Sequence, residues 1–164
     1  MKNFNWTQFS KRIFINSNIA VVYDAWTKSE ELEKWFLSKA RFSSHSLGDI
    51  PFSQTIPAEC NYEWHWFAQS HSEKGVVLDA NGKDFLSFTF AGNCKVSIQL
   101  KQVKNQTQVV LTQEEIPEDD ASKENIRLGC AFGWTFYLLN LNSVLEGGLD
   151  LRNKDTELVG VVNN

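Results

Sequence analysis

The first 40 residues show in turn the two periodicities that distinguish strands from helices. Apolar and polar residues alternate roughly over 4–15, which predicts a first strand. Apolar residues then recur at helical spacing over 18–27, and Ser17 is the expected N-cap of this helix. A second short helix is predicted from 29 to about 36, with glutamates in its first turn, where the helix dipole favours them. The chain is therefore expected to begin with one strand and two short helices.

The middle of the chain, from 40 to about 116, has the pattern of an antiparallel sheet. No helical period persists here, and proline and glycine separate short alternating runs. One run carries aromatic residues on the even-numbered positions that should be buried: Tyr62, Trp64 and Trp66. The pair Asn81-Gly82 predicts a two-residue type I′ hairpin turn, because both residue types tolerate positive φ. A further turn is expected at 104–106.

The last predicted element is a long apolar helix that follows 117–120 and ends at about Glu146, where Gly147-Gly148 stops it. One apolar stripe on it is formed by Trp134, Leu138, Leu141 and Leu145. A second stripe is formed by Leu128, Phe132, Phe136 and Leu139. Because a surface helix needs only one such stripe, we expect a second body to cover it: a ligand cavity, the first helices or a partner chain. The glycines at 129 and 133 favour close helix packing.

This order of elements predicts an α+β domain with the helix-grip fold. In that fold a curved antiparallel β-sheet wraps around a long C-terminal helix, and two short helices follow the first strand. A chain of 164 residues can bury a sufficient core as one domain. We therefore expect a single domain over 1–164, with a core of about 4–148 and a loosely held polar tail at 153–164.

Four short motifs follow one another along residues 10–148. They are Val22-Tyr23-Asp24-Ala25-Trp26-Thr27, then Leu32-x-x-Trp35-Phe36, then Tyr62-x-Trp64-x-Trp66, and finally Gly133-Trp134 leading to Leu138, Leu141 and Leu145-Glu146-Gly147. In this order they resemble the START-like, birch-pollen-allergen-like (SRPBCC) superfamily, and within it the bacterial homologues of the activator of Hsp90 ATPase. The resemblance implies a cavity between the curled sheet and the last helix, which various members use for lipids, polyketides or plant hormones.

The aromatic content supports such a cavity. The chain has 6 Trp, 12 Phe and 3 Tyr, and large rings pack imperfectly around one another, so an interior built from them often contains space. The candidate ligand-binding residues are Trp35, Phe36, Trp64, Trp66, Phe88, Trp134, Phe136 and Leu138. The alternative for each is a role in the plain hydrophobic core. We expect a mainly apolar cavity that binds fatty-acid-like or aromatic molecules, or other small amphipathic ones.

Two other functions stay open at this stage. The resemblance allows a protein-interaction module related to Hsp90 co-chaperone activators, with a protein partner or a homodimer. It also allows a polyketide-cyclase-like enzyme, which would need polar groups inside the pocket. Ser87, Thr89 and Arg41 are the candidates for those groups, and they form no recognisable catalytic set. The sequence therefore leaves the question of catalysis undecided and favours a binding protein.

Charge and motif content exclude several classes of function. The net charge of −4 and the scattered basic residues argue against a nucleic-acid surface. No segment has the continuous apolar length of a membrane span or signal peptide, so we expect a cytoplasmic protein. Neither GxSxG nor HExxH occurs, and no metal or cofactor is expected. The histidines without ligand spacing are His45, His65 and His71. The cysteines, expected to be buried thiols, are Cys60, Cys94 and Cys130.

Overall fold

The computed structural model describes residues 4–46 and 48–163. The strands are β1 (Phe9–Ile15), β2 (Lys39–Ser44), β3 (Gly48–Asp49), β4 (Asn61–His65), β5 (Ser72–Ala80), β6 (Phe85–Phe90), β7 (Cys94–Val103) and β8 (Gln106–Glu114). The helices are α1 (Ile19–Thr27), α2 (Ser29–Trp35) and α3 (Asp120–Leu145). Within α3 the segment Lys123–Leu128 is π-helical.

The strands form a single antiparallel sheet around α3. Their order is β1-β8-β7-β6-β5-β4-β2-β3, so β1 leaves the sequential order by pairing with β8, and β2 pairs with β4 while β3 lies beside β2 at the edge. The sheet is curved and does not close, because its end strands β1 and β3 do not pair with each other. The helices α1 and α2 follow β1, and α3 packs against β1 and α2. The predicted α+β helix-grip fold is thereby confirmed.

The N-cap of α1 lies one residue later than predicted. Asn18, not Ser17, is the N-cap: its backbone is extended, and its side-chain oxygen accepts a 3.0 Å hydrogen bond from the backbone N–H of Val21. This bond satisfies one of the helix's free N-terminal donors. Ser17 instead accepts, through its backbone carbonyl, a 2.8 Å hydrogen bond from the hydroxyl of Thr107 on β8. Ser and Asn are both good caps, so the sequence alone does not decide between them.

The turn between β5 and β6 lies where Asn81-Gly82 predicts it, but its type differs. The loop spans the four residues 81–84. Gly82 has φ +74°, as expected, whereas Asn81 is not among the described residues with positive φ. The side-chain oxygen of Asn81 accepts hydrogen bonds from the backbone N–H groups of 83, 84 and 85. This fan of bonds stabilises the longer loop, so the prediction of a two-residue type I′ turn is wrong.

The two apolar stripes of α3 lie in opposite environments. Trp134, Leu138 and Leu141 are buried against the sheet and the first helices. In contrast, Leu128, Phe132 and Leu139 are between 50% and 61% exposed, and we call these three residues the outer stripe; Phe136, the fourth member of the predicted stripe, is partly buried. By length and composition alone α3 could cross a bilayer, contrary to the sequence expectation. Its buried residues Trp134, Leu138 and Leu141 are packed in the protein interior, as in the core helix of a globular domain.

A polar cluster ties the segment after α3 to the end of α2. The side-chain amide of Asn140 donates to the backbone carbonyl of Trp35 at 2.6 Å and to the carboxylate of Asp150 at 3.0 Å. Arg152 is only 6% exposed. Its guanidinium donates to the backbone carbonyls of Glu33 and Leu37, each at 2.9 Å. These carbonyls lie at the C-terminal end of α2, where the helix itself supplies few donors.

Candidate ligand-binding cavity

A cavity of about 440 Å³ lies between the sheet and the N-terminal half of α3. Its walls come from the residue that follows α2, the β4–β5 connection, the end of β6 and α3 itself. The lining residues are Phe36, Trp66, Gln69, His71, Glu73, Phe90, Ala91, Asn125, Gly129, Cys130, Gly133, Trp134 and Tyr137. This volume is within the range of about 300–1,000 Å³ that small-molecule sites occupy.

The apolar side of the cavity is a connected set of aromatic rings, which we call the ring wall: Phe36, Trp66, Phe90, Trp134 and Tyr137. The Phe36 ring is at its centre, with centroid distances of 5.5 Å to Trp66, 5.3 Å to Trp134 and 4.8 Å to Tyr137. Phe90 closes the set at 5.1 Å from Trp134 and 6.4 Å from Trp66. Most of these contacts are edge-on or tilted, the geometry that aromatic pairs prefer.

Two glycines on one face of α3 create part of the open volume. Gly129 and Gly133 are one turn apart, and both line the cavity. A Cβ added to Gly133 would meet no heavy atom within 4 Å, and one added to Gly129 would meet only the carbonyl of Glu124 at 3.7 Å. The sequence expectation of close helix packing at these glycines is therefore wrong. They face empty space.

The π-helical segment at Lys123–Leu128 precedes this glycine face directly. The backbone N–H of Gly129 reaches the carbonyls of both Glu124 and Ile126. A π-helical turn holds one residue more than an α-helical turn and shifts the side chains that follow it, and such turns are frequent at functional sites. Asn125 of this segment lies on the cavity wall. The π-helical turn therefore sets which residues of α3 face the cavity.

The cavity lining also contains polar groups, among them one carboxylate. They are Gln69, His71, Glu73 and Asn125, and no Lys or Arg is among the described residues of the lining. Glu73 lies on β5 directly across from Trp64 on β4, so both side chains point to the same face of the sheet. One carboxylate oxygen of Glu73 accepts a 2.7 Å hydrogen bond from the backbone N–H of Ala91. This bond fixes the orientation of the carboxylate.

Cys130 contributes a thiol to the cavity wall. Burial raises the pKa of this thiol to about 11, and burial likewise raises the pKa of Cys60 to about 11. A thiol with such a pKa stays protonated at neutral pH and is a poor nucleophile. Cys60 and Cys94 are buried as expected, whereas Cys130 is only partly buried. Within the described part of the chain, no three His, Cys, Asp or Glu side chains come together as metal ligands would.

The predicted site residues divide between the cavity and the core behind it. Phe36, Trp66 and Trp134 line the cavity. Four others are buried in the core and do not line it: Trp35, Trp64, Phe88 and Leu138. Phe136 is partly buried, and its ring packs 5.1 Å from that of Tyr137. Trp66 follows the end of β4 and is only partly buried, but its ring packs against Phe36 and Phe90 on the same inward face as Trp64.

Sequence reasoning missed several lining residues. Phe90 lies two residues after Phe88 on β6, and Tyr137 lies three residues after Trp134 on α3, so period-2 and helical spacing could have suggested both. Glu73 could not be found this way, since its place opposite Trp64 depends on the pairing register of β4 and β5. The open space at Gly133 has no sequence signal.

A larger groove of about 840 Å³ runs along β2, β4 and β5. It is lined by charged side chains of both signs, which include Lys39, Arg41, Lys74, Glu33, Asp49 and Glu63. Two of these charges face each other, with the Lys74 ammonium 3.6 Å from the Glu63 carboxylate. Its three rings, Phe42, Phe52 and Tyr62, are outnumbered by these charges. The smaller cavity is therefore the better candidate for a small-molecule site.

Comparison with known families agrees with this architecture. Residues 16–146 match the family model described as activator of Hsp90 ATPase homolog 1-like protein. The chain belongs to this family. The match begins directly after β1 and covers α1, α2, all the later strands and the whole of α3, so every wall of the cavity falls within the family's shared region. The resemblance inferred from the four sequence motifs is thereby confirmed. No curated protein matches the chain significantly.

Solved structures of similar proteins show the same fold. The Aha1 dimer from Colwellia psychrerythraea superposes with a TM-score of 0.67 at 21% identity, over 86% of this chain and 97% of that one. An Hsp90 activator from Plasmodium falciparum gives a TM-score of 0.64 at 19% identity, over 85% and 96%. A protein of the dynemicin biosynthetic locus gives 0.68 at 16% identity, over 90% of this chain but 50% of that one. At these identities the likeness is one of fold.

Proposed function

We propose that this protein binds a small apolar or amphipathic molecule in the cavity between the sheet and α3. The observation that carries the proposal is the pairing of a ring wall with two glycines that face open space. Rings supply apolar contact area, and the glycines supply the room for a ligand to reach it. The polar groups in the lining provide the few oriented contacts that small-molecule sites use for specificity.

The size of the cavity allows useful affinity. Burying roughly 300 Å² of apolar ligand surface contributes about 7–8 kcal/mol at about 25 cal/mol per Å². Association costs then reduce this figure, and a dissociation constant on the order of 1–100 μM remains for a ligand that is not the natural one. The raised pKa of Cys130 keeps its thiol protonated, so it is not a nucleophile at neutral pH.

The test fills the cavity without disturbing the fold. Gly133→Leu places a side chain in open space, and leucine has the higher helix propensity, so the variant should fold. Thr135→Leu is the matched control, since it adds a leucine to the exposed side of the same helix. Binding of the neutral fluorophore N-phenyl-1-naphthylamine is measured by fluorescence titration, and the bound position by amide chemical shifts.

We expect micromolar binding to the wild type and to Thr135→Leu, with shifts centred on the ring wall. Gly133→Leu should weaken binding at least about tenfold, which corresponds to about 1.4 kcal/mol. Equal affinity in all three proteins would contradict the proposal, as would shifts confined to the outer stripe. Absence of any binding by this probe and by a wider panel of apolar molecules would also contradict it.

A second candidate function is self-association through the outer stripe. Leu128, Phe132 and Leu139 are exposed, and the segment Gly129–Leu145 of α3 contains no charged residue. A face without charge can meet a copy of itself without like-charge repulsion, as a two-fold interface requires. The related Aha1 from Colwellia psychrerythraea is a dimer, which supports a homodimer of this chain.

Sedimentation velocity over a range of protein concentrations tests this second candidate. Phe132→Ser should shift the protein from dimer towards monomer. Leu78→Ser, which removes an exposed apolar side chain from β5 instead, should leave the assembly unchanged. A wild-type protein that stays monomeric up to about 100 μM, a concentration at which a weak dimer would already be detected, would exclude the dimer. A cytoplasmic location remains a prediction from the sequence.

A further inference from the structure

We infer that the cavity selects ligands whose apolar body carries a positively charged ammonium group, and that the Glu73 carboxylate binds this group. The inference rests on the proposed function, because it assigns a charge preference to the same cavity. It revises the expectation of fatty-acid-like ligands, which bear a carboxylate. Three features of the cavity support it: the charge of the lining, the fixed position of Glu73 and the chemistry of the ring wall.

The described lining has one permanent charge, and it is negative. Glu73 is the only Asp, Glu, Lys or Arg among those residues. No ion pair joins Glu73 to a Lys, Arg or His within the described ranges 4–46 and 48–163. His71 is exposed at the rim. A carboxylate ligand would thus bring a like charge beside Glu73 and would find no fixed cation to pair with.

Glu73 is positioned to act on a ligand. Its side chain is partly buried and points to the inner face of the sheet, opposite Trp64. The hydrogen bond from the backbone N–H of Ala91 engages one carboxylate oxygen at 2.7 Å. A carboxylate has more acceptor sites than this one bond uses. The remaining sites can therefore accept an N–H group, or face an ammonium, without a change in side-chain orientation.

Beside the Glu73 carboxylate, the ring wall provides further contacts for a cation. Trp is the best cation–π partner among the side chains, and Tyr and Phe also attract cations over their faces. The cavity combines Trp66 and Trp134 with Tyr137 and two phenylalanines. Aromatic rings with a nearby carboxylate are the chemistry by which proteins recognise alkylated ammonium groups. A neutral apolar ligand would use the rings alone.

Three probes that share one tail and differ in head-group charge test the inference. They are decyltrimethylammonium, decanol and decanoate, each used below its critical micelle concentration. The protein variants are Glu73→Gln, which keeps an oxygen for the Ala91 N–H, and Glu118→Gln. The latter removes the same charge from the exposed segment before α3. Affinities come from amide-shift titrations, which also locate each probe.

We expect the wild type to bind the ammonium most tightly, then decanol, then decanoate. Glu73→Gln should weaken ammonium binding about tenfold or more, the least that a close charge pair contributes, and should improve decanoate binding. Glu118→Gln should change neither. If decanol binds but the wild type shows no preference among head groups, or if Glu73→Gln leaves the preference intact, the charge inference is overturned while ligand binding stands. If none of the three probes binds, the proposed function fails with it.

Discussion

Arg152 gives the sharpest test of how the C-terminal segment is held. The sequence suggested a core that ends at about 148, whereas the guanidinium of Arg152 is enclosed by the protein, with its side chain 2% exposed. It donates to the carboxylate of Asp150 at 2.9 and 2.7 Å and to the carbonyls of Glu33 and Leu37. We predict that Arg152→Ala strongly destabilises the fold.

The magnitude follows from what the substitution leaves behind. Removing one partner of a buried ion pair costs about 3–5 kcal/mol, and among its side-chain partners Asp150 would keep only Lys154 and Asn140. Two backbone carbonyls at the end of α2 lose their donor as well. For a chain of this size, we expect the midpoint of thermal unfolding to fall by roughly 6–20 °C. Arg152→Lys should cost less, since it keeps the charge but lacks the planar fork that reaches several acceptors.

Chemical denaturation followed by tryptophan fluorescence measures this free energy of unfolding. Equal denaturant slopes in wild type and variant would show that the comparison is valid. A loss below about 1 kcal/mol, typical of an exposed ion pair, would mean that the segment is not docked in solution. The core would then end before Asp150, as the sequence alone suggested.

Other substitutions test the packing and the titratable groups. Gly75→Ala should cost about 1–3 kcal/mol, because its Cβ would lie 2.6 Å from the hydroxyl groups of neighbouring side chains; equal denaturation midpoints would contradict this. Trp134→Ala should lower the free energy of unfolding by about 3–5 kcal/mol. Trp66→Ala should lower it by roughly half as much, because Trp66 borders the cavity, and chemical denaturation measures both. Burial acts to raise the pKa of Asp150, but hydrogen bonds from Arg152 and two other side chains hold it below its usual value. Stability should therefore fall as pH drops below about 4, and fall less in Asp150→Asn; parallel pH profiles would refute this. Iodoacetamide should alkylate Cys130 far more slowly than an unfolded control at pH 8, because its pKa is about 11.

The fold could be predicted because its evidence is local. Alternation along 40–116 and helical spacing in 18–27 and in the last helix depend only on neighbouring residues. The order of these elements then restricts the topology strongly. The type of the turn at Asn81-Gly82 could not be predicted this way. The side chain of Asn81 stabilises a four-residue loop, and its propensity for positive φ does not reveal that alternative.

The candidate site was harder to predict than the fold. A periodic pattern shows which face of an element a residue lies on, but not whether that residue is enclosed in the core or borders open space. Trp64 and Phe88 point inward, yet other rings surround them in the closed core, while Phe36 and Trp134 reach the open space. The outer stripe shows the same limit of periodic patterns. A second apolar stripe on the last helix indicates that a second body covers it, but the pattern is equally compatible with a face exposed in the monomer.

The ring wall is held by bonds that lie outside the cavity, and this explains how the cavity can stay open. The indole N–H of Trp134 donates to the side-chain oxygen of Gln113 at 2.9 Å, and Gln113 on β8 is fully buried. The Trp134 ring cannot swing into the empty volume without breaking this bond in a place that water cannot reach. Phe36 is confined by Trp66, Trp134 and Tyr137. The rings next to Gly129 and Gly133 are therefore fixed before a ligand arrives, so binding carries no further entropic cost of ordering them.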